Sequence, residues 1–141
     1  MSILPAAGGR RVLVVEDEYV IADCLADELE TLGFEIEGPF AACAEASAWL
    51  ACHTPDLAVL DILLRDGDCL ELARELRRRA VPILFYTGLL DWTPFHGEFA
   101  GAHVLNKPAG PAKLADALSR LLGRTVAAPT GEAGMLLPRI Q

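Results

Sequence analysis

Short, mostly apolar runs alternate with amphipathic segments along most of the chain. The runs at 12–15 and 57–60 predict strands that are buried on both faces, and the runs at 81–86 and 102–105 predict two further strands. Residues 34–37 alternate apolar with acidic side chains, a pattern typical of a half-exposed edge strand. Five strands are therefore predicted, and each is followed by a segment that could form a helix.

The helical segments differ in the regularity of their hydrophobic period. Apolar residues that recur every three or four positions predict helices at 18–32, at 42–52, after the turn at 66–68, and at 114–122. The segment 89–101 should hold the fourth helix, but Pro94 and Gly97 interrupt it and its aromatic residues form no clean stripe. We expect a short or irregular helix there.

Alternating strands and helices predict an α/β domain whose parallel sheet is covered by helices on both faces. Right-handed crossovers bring the carboxyl ends of the strands to one edge, where ligands bind in such sheets. Four predicted strands end in polar residues, which are Glu16 and Asp17, Asp61, Thr87, and Lys107. The sequence therefore predicts that acids, a hydroxyl and an ammonium meet at one edge.

Electrostatics suggest what such a site would bind. Carboxylates at neighbouring strand ends repel one another in a partly dry crevice, and their pKa values rise unless a cation joins them. Mg2+ suits a site made of oxygen ligands, and Lys107 supplies a second positive charge. A carboxylate nucleophile beside a metal and a lysine is what phosphoryl transfer to an aspartate requires, because both cations neutralise the moving group.

Four sequence runs around these residues resemble the response-regulator receiver domain of two-component systems in their order and spacing. They are Val-Leu-Val-Val-Glu-Asp-Glu at 12–18, Leu-Ala-Val-Leu-Asp at 57–61, Phe-Tyr-Thr-Gly at 85–88 and Lys-Pro at 107–108. The likeness covers residues 10–122, with bounds good to a few positions. It implies a flavodoxin-like, doubly wound sheet of five parallel strands in the order 2-1-3-4-5, with helices on both faces.

The resemblance also implies a role for each site residue. Asp61 would accept the phosphoryl group from a sensor histidine kinase or a phosphotransfer protein. Lys107 would contact the bound phosphate, and Thr87 would move to hydrogen-bond it. Asp17 would bind Mg2+ directly, and Glu16 would help through water.

Three further features follow from the same resemblance. Asp61 would itself be a metal ligand, and the backbone carbonyl of Leu63 would be another. Pro108 would follow Lys107 through a cis peptide bond, which X-Pro chemistry permits.

Two positions depart from the common receiver pattern. Receivers commonly carry Tyr or Phe three residues before the lysine, as a rotating switch residue, and here that position is Val104. With Phe-Tyr-Thr-Gly at 85–88, this resembles an alphaproteobacterial subgroup marked by Phe-Ala-Thr-Gly, with Tyr86 in place of the alanine. The subgroup is linked to stress signalling and to kinases of the histidine-tryptophan-glutamate class. We expect the conformational change on activation to occur mainly in residues 89–101.

The predicted receiver domain occupies residues 10–123, after a short extension at 1–9 and before a flexible tail at 124–141. No DNA-binding or enzymatic output domain fits after residue 123, so we expect a stand-alone switch rather than a turnover enzyme. It would catalyse at most its own phosphorylation and dephosphorylation. Its signal would leave through an unknown downstream protein, a homodimer or phosphate shuttling.

Composition narrows the partners and the compartment. A net charge of −8 argues against nucleic acid, and we assign the basic cluster at 74–79 to a helix end whose dipole it complements. No apolar run approaches the ~20 residues of a membrane span, and the first residues lack a signal-peptide pattern, so no membrane partner is expected. Four cysteines without a C-x-x-C pair fit small buried residues in a reducing, cytoplasmic compartment.

The main alternative is a pseudo-receiver, a binding module without phosphotransfer, against which the intact Asp17, Asp61, Thr87 and Lys107 argue. A haloacid-type phosphatase would need a second aspartate two residues after the nucleophile, where this chain has Leu63. Flavin binding on the same fold would need a phosphate-cradling loop after the first strand, where acids stand instead.

Overall fold

The structure is a computed structural model that describes residues 10–88, 96–99 and 101–127. Five parallel strands form the main sheet, and they are β1 (Arg11–Val15), β2 (Glu35–Phe40), β3 (Leu57–Leu60), β6 (Ile83–Thr87) and β7 (His103–Asn106). A short antiparallel hairpin of β4 (Leu63–Leu64) and β5 (Gly67–Asp68) lies between β3 and β6 in the chain.

The sheet confirms the predicted fold class and strand order. Its strands are arranged β2-β1-β3-β6-β7, and every neighbouring pair is parallel. Counted among the sheet strands alone, this is the order 2-1-3-4-5. The chain leaves β1 toward β2 on one side and later returns to β3 on the other side. A crevice opens at such a reversal, at the carboxyl edge of the sheet.

Helices cover both faces of the sheet, and they are α1 (Tyr19–Thr31), α2 (Cys43–Leu50), α3 (Leu70–Arg78), α4 (His96–Phe99) and α5 (Pro111–Leu122). The first two begin and end within two residues of their predicted bounds. Only four residues of the fourth helical segment are helical in the described ranges, and 89–95 and 100 lie outside them. None of the helices in the described ranges is long and apolar enough to cross a membrane.

Two hydrophobic cores lie on opposite faces of the sheet, because successive strand residues point to opposite sides. In β1, Leu13 and Val15 join the core beneath α2 and α3, while Val12 and Val14 join the core beneath α1 and α5. All four side chains are almost completely buried. The apolar runs of the central strands therefore follow from burial on both faces.

The structure refines two predicted segments. The edge strand continues to Phe40, well past the predicted 34–37, and Phe40 pairs with Val15 after a register shift. The predicted turn at 66–68 belongs to the β4–β5 hairpin, in which Leu64 pairs with Gly67. The Asp68 carboxylate then accepts a hydrogen bond from the N–H of Leu70 at 3.1 Å, at the start of α3.

Part of the predicted tail packs against the domain. Val126 is 3% exposed and belongs to the core beneath α1 and α5. Its N–H donates to the Ser119 hydroxyl oxygen at 2.9 Å, which fixes the segment against α5. Residues 128–141 of the tail lie outside the described residues.

The basic cluster lies at the end of α3, and its arginines are paired with acids. Arg74 and Arg77 contact Glu98 of α4, while Arg78 and Arg79 contact Glu75 one turn earlier in α3. Arg77 and Arg78 lie in the last turn of α3, where the helix-end interpretation places them, whereas Arg74 lies one turn earlier.

Gly38 controls how β2 runs beside β1. Its φ of 103° is in the left-handed region, and a Cβ there would lie 2.7 Å from Phe40 N and 2.9 Å from Val14 O. The residue lies where the register between the two strands shifts. After this shift, the Phe40 carbonyl accepts a hydrogen bond from Glu16 N at 2.9 Å. Gly38 thus helps to place the residue that follows β1.

We expect Gly38→Ala to lower the free energy of unfolding by about 1–3 kcal/mol, because both the backbone conformation and the contacts oppose a side chain. Urea unfolding followed by circular dichroism measures the change. Gly97→Ala is the matched control, since a Cβ at Gly97 meets nothing within 4 Å. Equal stability of the two variants would contradict the backbone conformation described for Gly38.

Candidate functional site

The carboxyl edge of the sheet brings together the side chains that the sequence placed there. Glu16 and Asp17 follow β1, and Asp61 follows β3. Thr87 is the last residue of β6, and Lys107 follows β7. The predicted convergence of three acids, a hydroxyl and an ammonium is therefore present in the structure.

Backbone hydrogen bonds extend the strand pairing just beyond the strands. Asp61 N donates to Val15 O at 3.1 Å, and Lys107 N donates to Thr87 O at 2.9 Å. The main chain thus fixes Asp61 beside the end of β1 and Lys107 beside the end of β6. The long lysine side chain spans the end of β6 to reach the acids.

Lys107 is the centre of the charge arrangement. Its Nζ lies 2.6 Å from Asp61 Oδ2 and 2.7 Å from Glu16 Oε1. Glu18 Oε1 is a third, more distant neighbour at 3.6 Å, on an exposed side chain. The Lys107 and Asp61 side chains are each 9% exposed and that of Glu16 is 1% exposed, so these contacts are poorly screened by water.

Glu16 is the most buried acid of the site. Burial raises the pKa of its carboxyl above the usual value, although the hydrogen bond from Lys107 opposes this rise. The other carboxylate oxygen, Oε2, accepts a hydrogen bond from Glu18 N at 3.1 Å. Glu16 is thus held by a side chain on one oxygen and by the main chain on the other.

Lys107 shows the opposite balance. Burial alone would lower the pKa of its ammonium, but the hydrogen bonds to Asp61 and Glu16 raise the pKa above the usual value. Lys107 therefore stays charged at neutral pH, and it is the resident countercharge for two buried acids.

Asp17 completes a cluster of acids. One carboxylate oxygen each from Glu16, Asp17 and Asp61 lies within 4.8 Å of the others. Asp17 Oδ2 also accepts a hydrogen bond from the backbone N–H of Arg65 at 2.8 Å, so the hairpin after Asp61 orients this acid. Three converging carboxylates form a donor set suited to a hard divalent cation.

An open cleft of about 440 Å³ gives access to the acids and to Lys107. Thr87 and Leu63 line it, together with the exposed Arg65 side chain. Thr87 is 1% exposed, whereas Leu63 is half exposed at the first position of β4. Five of the predicted site residues therefore share one cleft, namely Asp17, Asp61, Leu63, Thr87 and Lys107, whereas the buried Glu16 does not line it.

Two residues near the site have contacts that the sequence pattern did not predict. The backbone N–H of Arg65 donates a hydrogen bond to Asp17, a contact that no side-chain pattern reveals.

Tyr86 is buried next to Thr87, and its hydroxyl accepts a hydrogen bond from Ala109 N at 3.1 Å. The Lys107–Pro108 peptide bond is cis, as the resemblance implied, and Tyr86 holds the segment just after it. In the sequence, the unusual Tyr86 of the Phe-Tyr-Thr-Gly run was the signal that could have indicated this contact.

Val104 occupies the position, three residues before Lys107, where receivers commonly carry a switch aromatic. It is a half-buried residue of β7 and packs against the core that contains Phe85 and Phe99. Those two rings pack edge to face, with centroids 5.6 Å apart. This aromatic contact therefore joins β6 to α4, and β7 contributes no ring to it.

Comparison with known proteins decides the family. The sequence profile of the response regulator receiver domain matches residues 12–119, which is most of the chain. The chain belongs to the response regulator receiver family. This receiver is also 30% identical over 141 residues to the transcriptional regulatory protein PdtaR of Mycobacterium tuberculosis, a match that covers 96% of this chain and 69% of that protein.

Solved receiver structures share the fold. The receiver domain of the PhyR response regulator from Erythrobacter litoralis is 26% identical, with a TM-score of 0.76, and the match covers 90% of this chain and 99% of that one. The receiver domain of the sensor histidine kinase PA1611 from Pseudomonas aeruginosa PAO1 is 28% identical, with a TM-score of 0.70 and coverage of 82% and 99%. That structure has a magnesium ion coordinated in its active site cleft.

We expect Lys107→Ala to lower the free energy of unfolding at pH 7 by about 2–4 kcal/mol, because it leaves Asp61 and Glu16 without their countercharge. Urea titrations at several pH values measure this. The loss should shrink as the pH falls below the raised pKa of the Glu16 carboxyl, because a protonated Glu16 no longer needs the cation.

Lys113→Ala is the matched control for this experiment, since Lys113 lies on the exposed face of α5. It should change the free energy of unfolding by less than about 0.5 kcal/mol at every pH. Equal effects of the two lysine variants at pH 7 would contradict the described ion pairs.

Proposed function

We propose that this receiver is a phosphorylation switch whose acceptor is Asp61. The observation that carries the proposal is the position of Asp61, which has an ammonium 2.6 Å from one oxygen and two further acids within reach. The ion pair with Lys107 orders the Asp61 carboxylate and leaves it able to act as a nucleophile. The site can also stabilise the negative charge of the phosphorylated product.

Mg2+ is the cofactor that the donor set fits. Asp17 and Asp61 would hold it directly, with the carbonyl of Leu63, and Glu16 would act through water. When bound, the ion supplies positive charge that neutralises phosphoryl oxygens. The PA1611 receiver domain, with magnesium coordinated in its active site cleft, supports this assignment.

The chain's own residues would perform the transfer. An Asp61 oxygen attacks the phosphorus of a phosphohistidine on the donor, so an O–P bond forms and the N–P bond breaks, with the electron pair returning to the imidazole. Lys107 turns from the carboxylate to a phosphoryl oxygen, and the Thr87 hydroxyl donates a hydrogen bond to another. The departing imidazole nitrogen takes a proton from solvent, so no proton of this chain is consumed.

The phosphodonor would be a sensor histidine kinase or a phosphotransfer protein. Tyr19 and Val20 at the start of α1 are 81% and 71% exposed, and half-exposed Leu63 lines the cleft. Exposed apolar side chains beside a reactive group favour a protein donor, since a single small donor needs no such surface. The net charge of −8 argues against nucleic acid as the target.

The output would also be a protein contact. We propose that the domain acts in the cytoplasm, that phosphorylation changes its contact with a downstream protein, and that a homodimer is one such contact. Since Val104 offers no aromatic to rotate, movement of Thr87 would act through Phe85 and Phe99 on the segment 89–101. The same departure supports membership of the Phe-Ala-Thr-Gly subgroup.

The acceptor is tested with Asp61→Asn. In Mg2+ and acetyl phosphate, the wild-type chain should show a shifted band in phosphate-affinity electrophoresis, and the variant should show none, because an amide oxygen is a poor nucleophile. Mass spectrometry after borohydride trapping should map the modification to Asp61. The exposed Asp116→Asn variant is the matched control and should be labelled like the wild type. An unlabelled wild type, with both acetyl phosphate and phosphohistidine donors, would favour a pseudo-receiver.

The switch is tested with beryllofluoride, which mimics the phosphoryl group on a carboxylate. We expect hydrogen exchange to change most in residues 89–101 when beryllofluoride and Mg2+ are added together. The Asp61→Asn variant should show no change, because it lacks the carboxylate that binds the mimic. A wild-type response confined to α5 or α2 would place the output elsewhere.

A further inference from the structure

Two thiols meet beside the loop that follows Asp61. Cys43 is the first residue of α2 and Cys69 immediately precedes α3, and their sulfur atoms lie 3.1 Å apart. Cys69 is fully buried and Cys43 is partly buried, whereas Cys24 and Cys52 are exposed. Of the four cysteines that the sequence predicted to be small buried residues, Cys69 is buried and Cys43 is partly buried, whereas the exposed Cys24 and Cys52 correct that prediction.

The β4–β5 hairpin is already attached to the start of α2. The Asp66 carboxylate accepts hydrogen bonds from Cys43 N at 3.1 Å and Ala44 N at 3.3 Å. The Cys43 thiol also contacts the Asp68 carbonyl at 3.5 Å. These contacts attach residues 66–68, just before Cys69, to the start of α2. The sulfur atoms need to move only about 1 Å to reach bonding distance.

We propose that Cys43 and Cys69 form an intramolecular disulfide when the protein meets a peroxide, and that this bond tethers the loop after Asp61 to α2. The inference is independent of phosphotransfer, since it depends only on the two thiols and the segments that carry them. The tethered loop contains Leu63, which lines the cleft, and Arg65, whose backbone N–H donates to Asp17.

The chemistry balances with hydrogen peroxide as the oxidant. The Cys43 sulfur attacks one peroxide oxygen, the O–O bond breaks, and one water leaves with the Cys43 proton, which makes a sulfenic acid. The Cys69 sulfur displaces the sulfenic hydroxyl, which leaves as a second water with the Cys69 proton. Two thiols thus lose two electrons and two protons, and one peroxide becomes two waters.

The geometry sets the order of the two steps. Cys43 is the solvent-accessible member, so it reacts with the oxidant, and buried Cys69 resolves the intermediate. Burial raises the pKa of both thiols, which keeps them protonated at neutral pH. The reaction is therefore slow compared with that of an activated thiol, and it responds to sustained oxidation.

The test uses the full chain carrying Cys24→Ser and Cys52→Ser, two exposed positions whose loss leaves the proposed pair. Trypsin then yields peptide 12–65 with Cys43 as its single cysteine and peptide 66–74 with Cys69. After peroxide treatment and alkylation in denaturant, we expect these peptides to be linked within a monomer, and dithiothreitol to separate them. Adding Cys43→Ser is the matched control and should abolish the link.

Two further measurements test the tether itself. Oxidation should raise the midpoint of thermal unfolding by roughly 5 °C. It should also slow hydrogen exchange in residues 63–69, and neither effect should occur in the Cys43→Ser control. The mapping is repeated on the wild-type chain without the serine substitutions, which is digested with a glutamate-specific protease in addition to trypsin.

Clear outcomes would overturn the proposal. One is full alkylation of Cys43 and Cys69 after a peroxide exposure that oxidises Cys24 and Cys52 in the wild-type chain. Another is a Cys43–Cys69 link found only in dimers on non-reducing gels. Unchanged hydrogen exchange in 63–69 despite a mapped disulfide would overturn the tether.

Discussion

The contact of one lysine with two buried acids is the interaction on which the site depends. Glu16 and Asp61 repel each other across the ends of β1 and β3, and Lys107 reaches both from the far side of β6. Without a cation, burial of these carboxylates would oppose folding of the strand ends that carry them. Charge balance therefore keeps Glu16, Asp61 and Lys107 close together, although they are far apart in the sequence. The resulting distances between their charged groups suit a phosphoryl group beside a divalent ion.

The segment after Asp61 links this charge centre to the rest of the domain. Within a few residues it lines the cleft with Leu63, orients Asp17 through the Arg65 N–H and caps α2 through the Asp66 carboxylate. It ends at Cys69, whose sulfur contacts Cys43. A change in this hairpin therefore affects Asp17 and α2 together, so a bond between the two thiols would alter the site.

A second set of contacts leads from the end of β6 to α4. Phe85, two residues before Thr87, packs edge to face on Phe99, and the Arg77 guanidinium lies 4.6 Å from the centre of the Phe99 ring. Arg74 and Arg77 both contact Glu98, so α3 holds α4 through charge as well as through the ring. In this receiver the aromatic contact near the hydroxyl is made by α4, where most receivers would use a residue of the last strand.

The sequence by itself determined the fold and most of the site. Apolar runs indicate which segments are central strands. The polar residues at the ends of those strands are the acids, Thr87 and Lys107 of the site. The edge strand was predicted too short, because its end depends on the left-handed turn at Gly38 and on pairing with β1. Only the tertiary structure decided that Arg65 orients Asp17, that Tyr86 holds Ala109, and that Cys43 meets Cys69. Periodicity records which face of an element is buried, whereas these contacts join residues that are distant in the chain and use backbone atoms or small side chains, which leave no periodic trace.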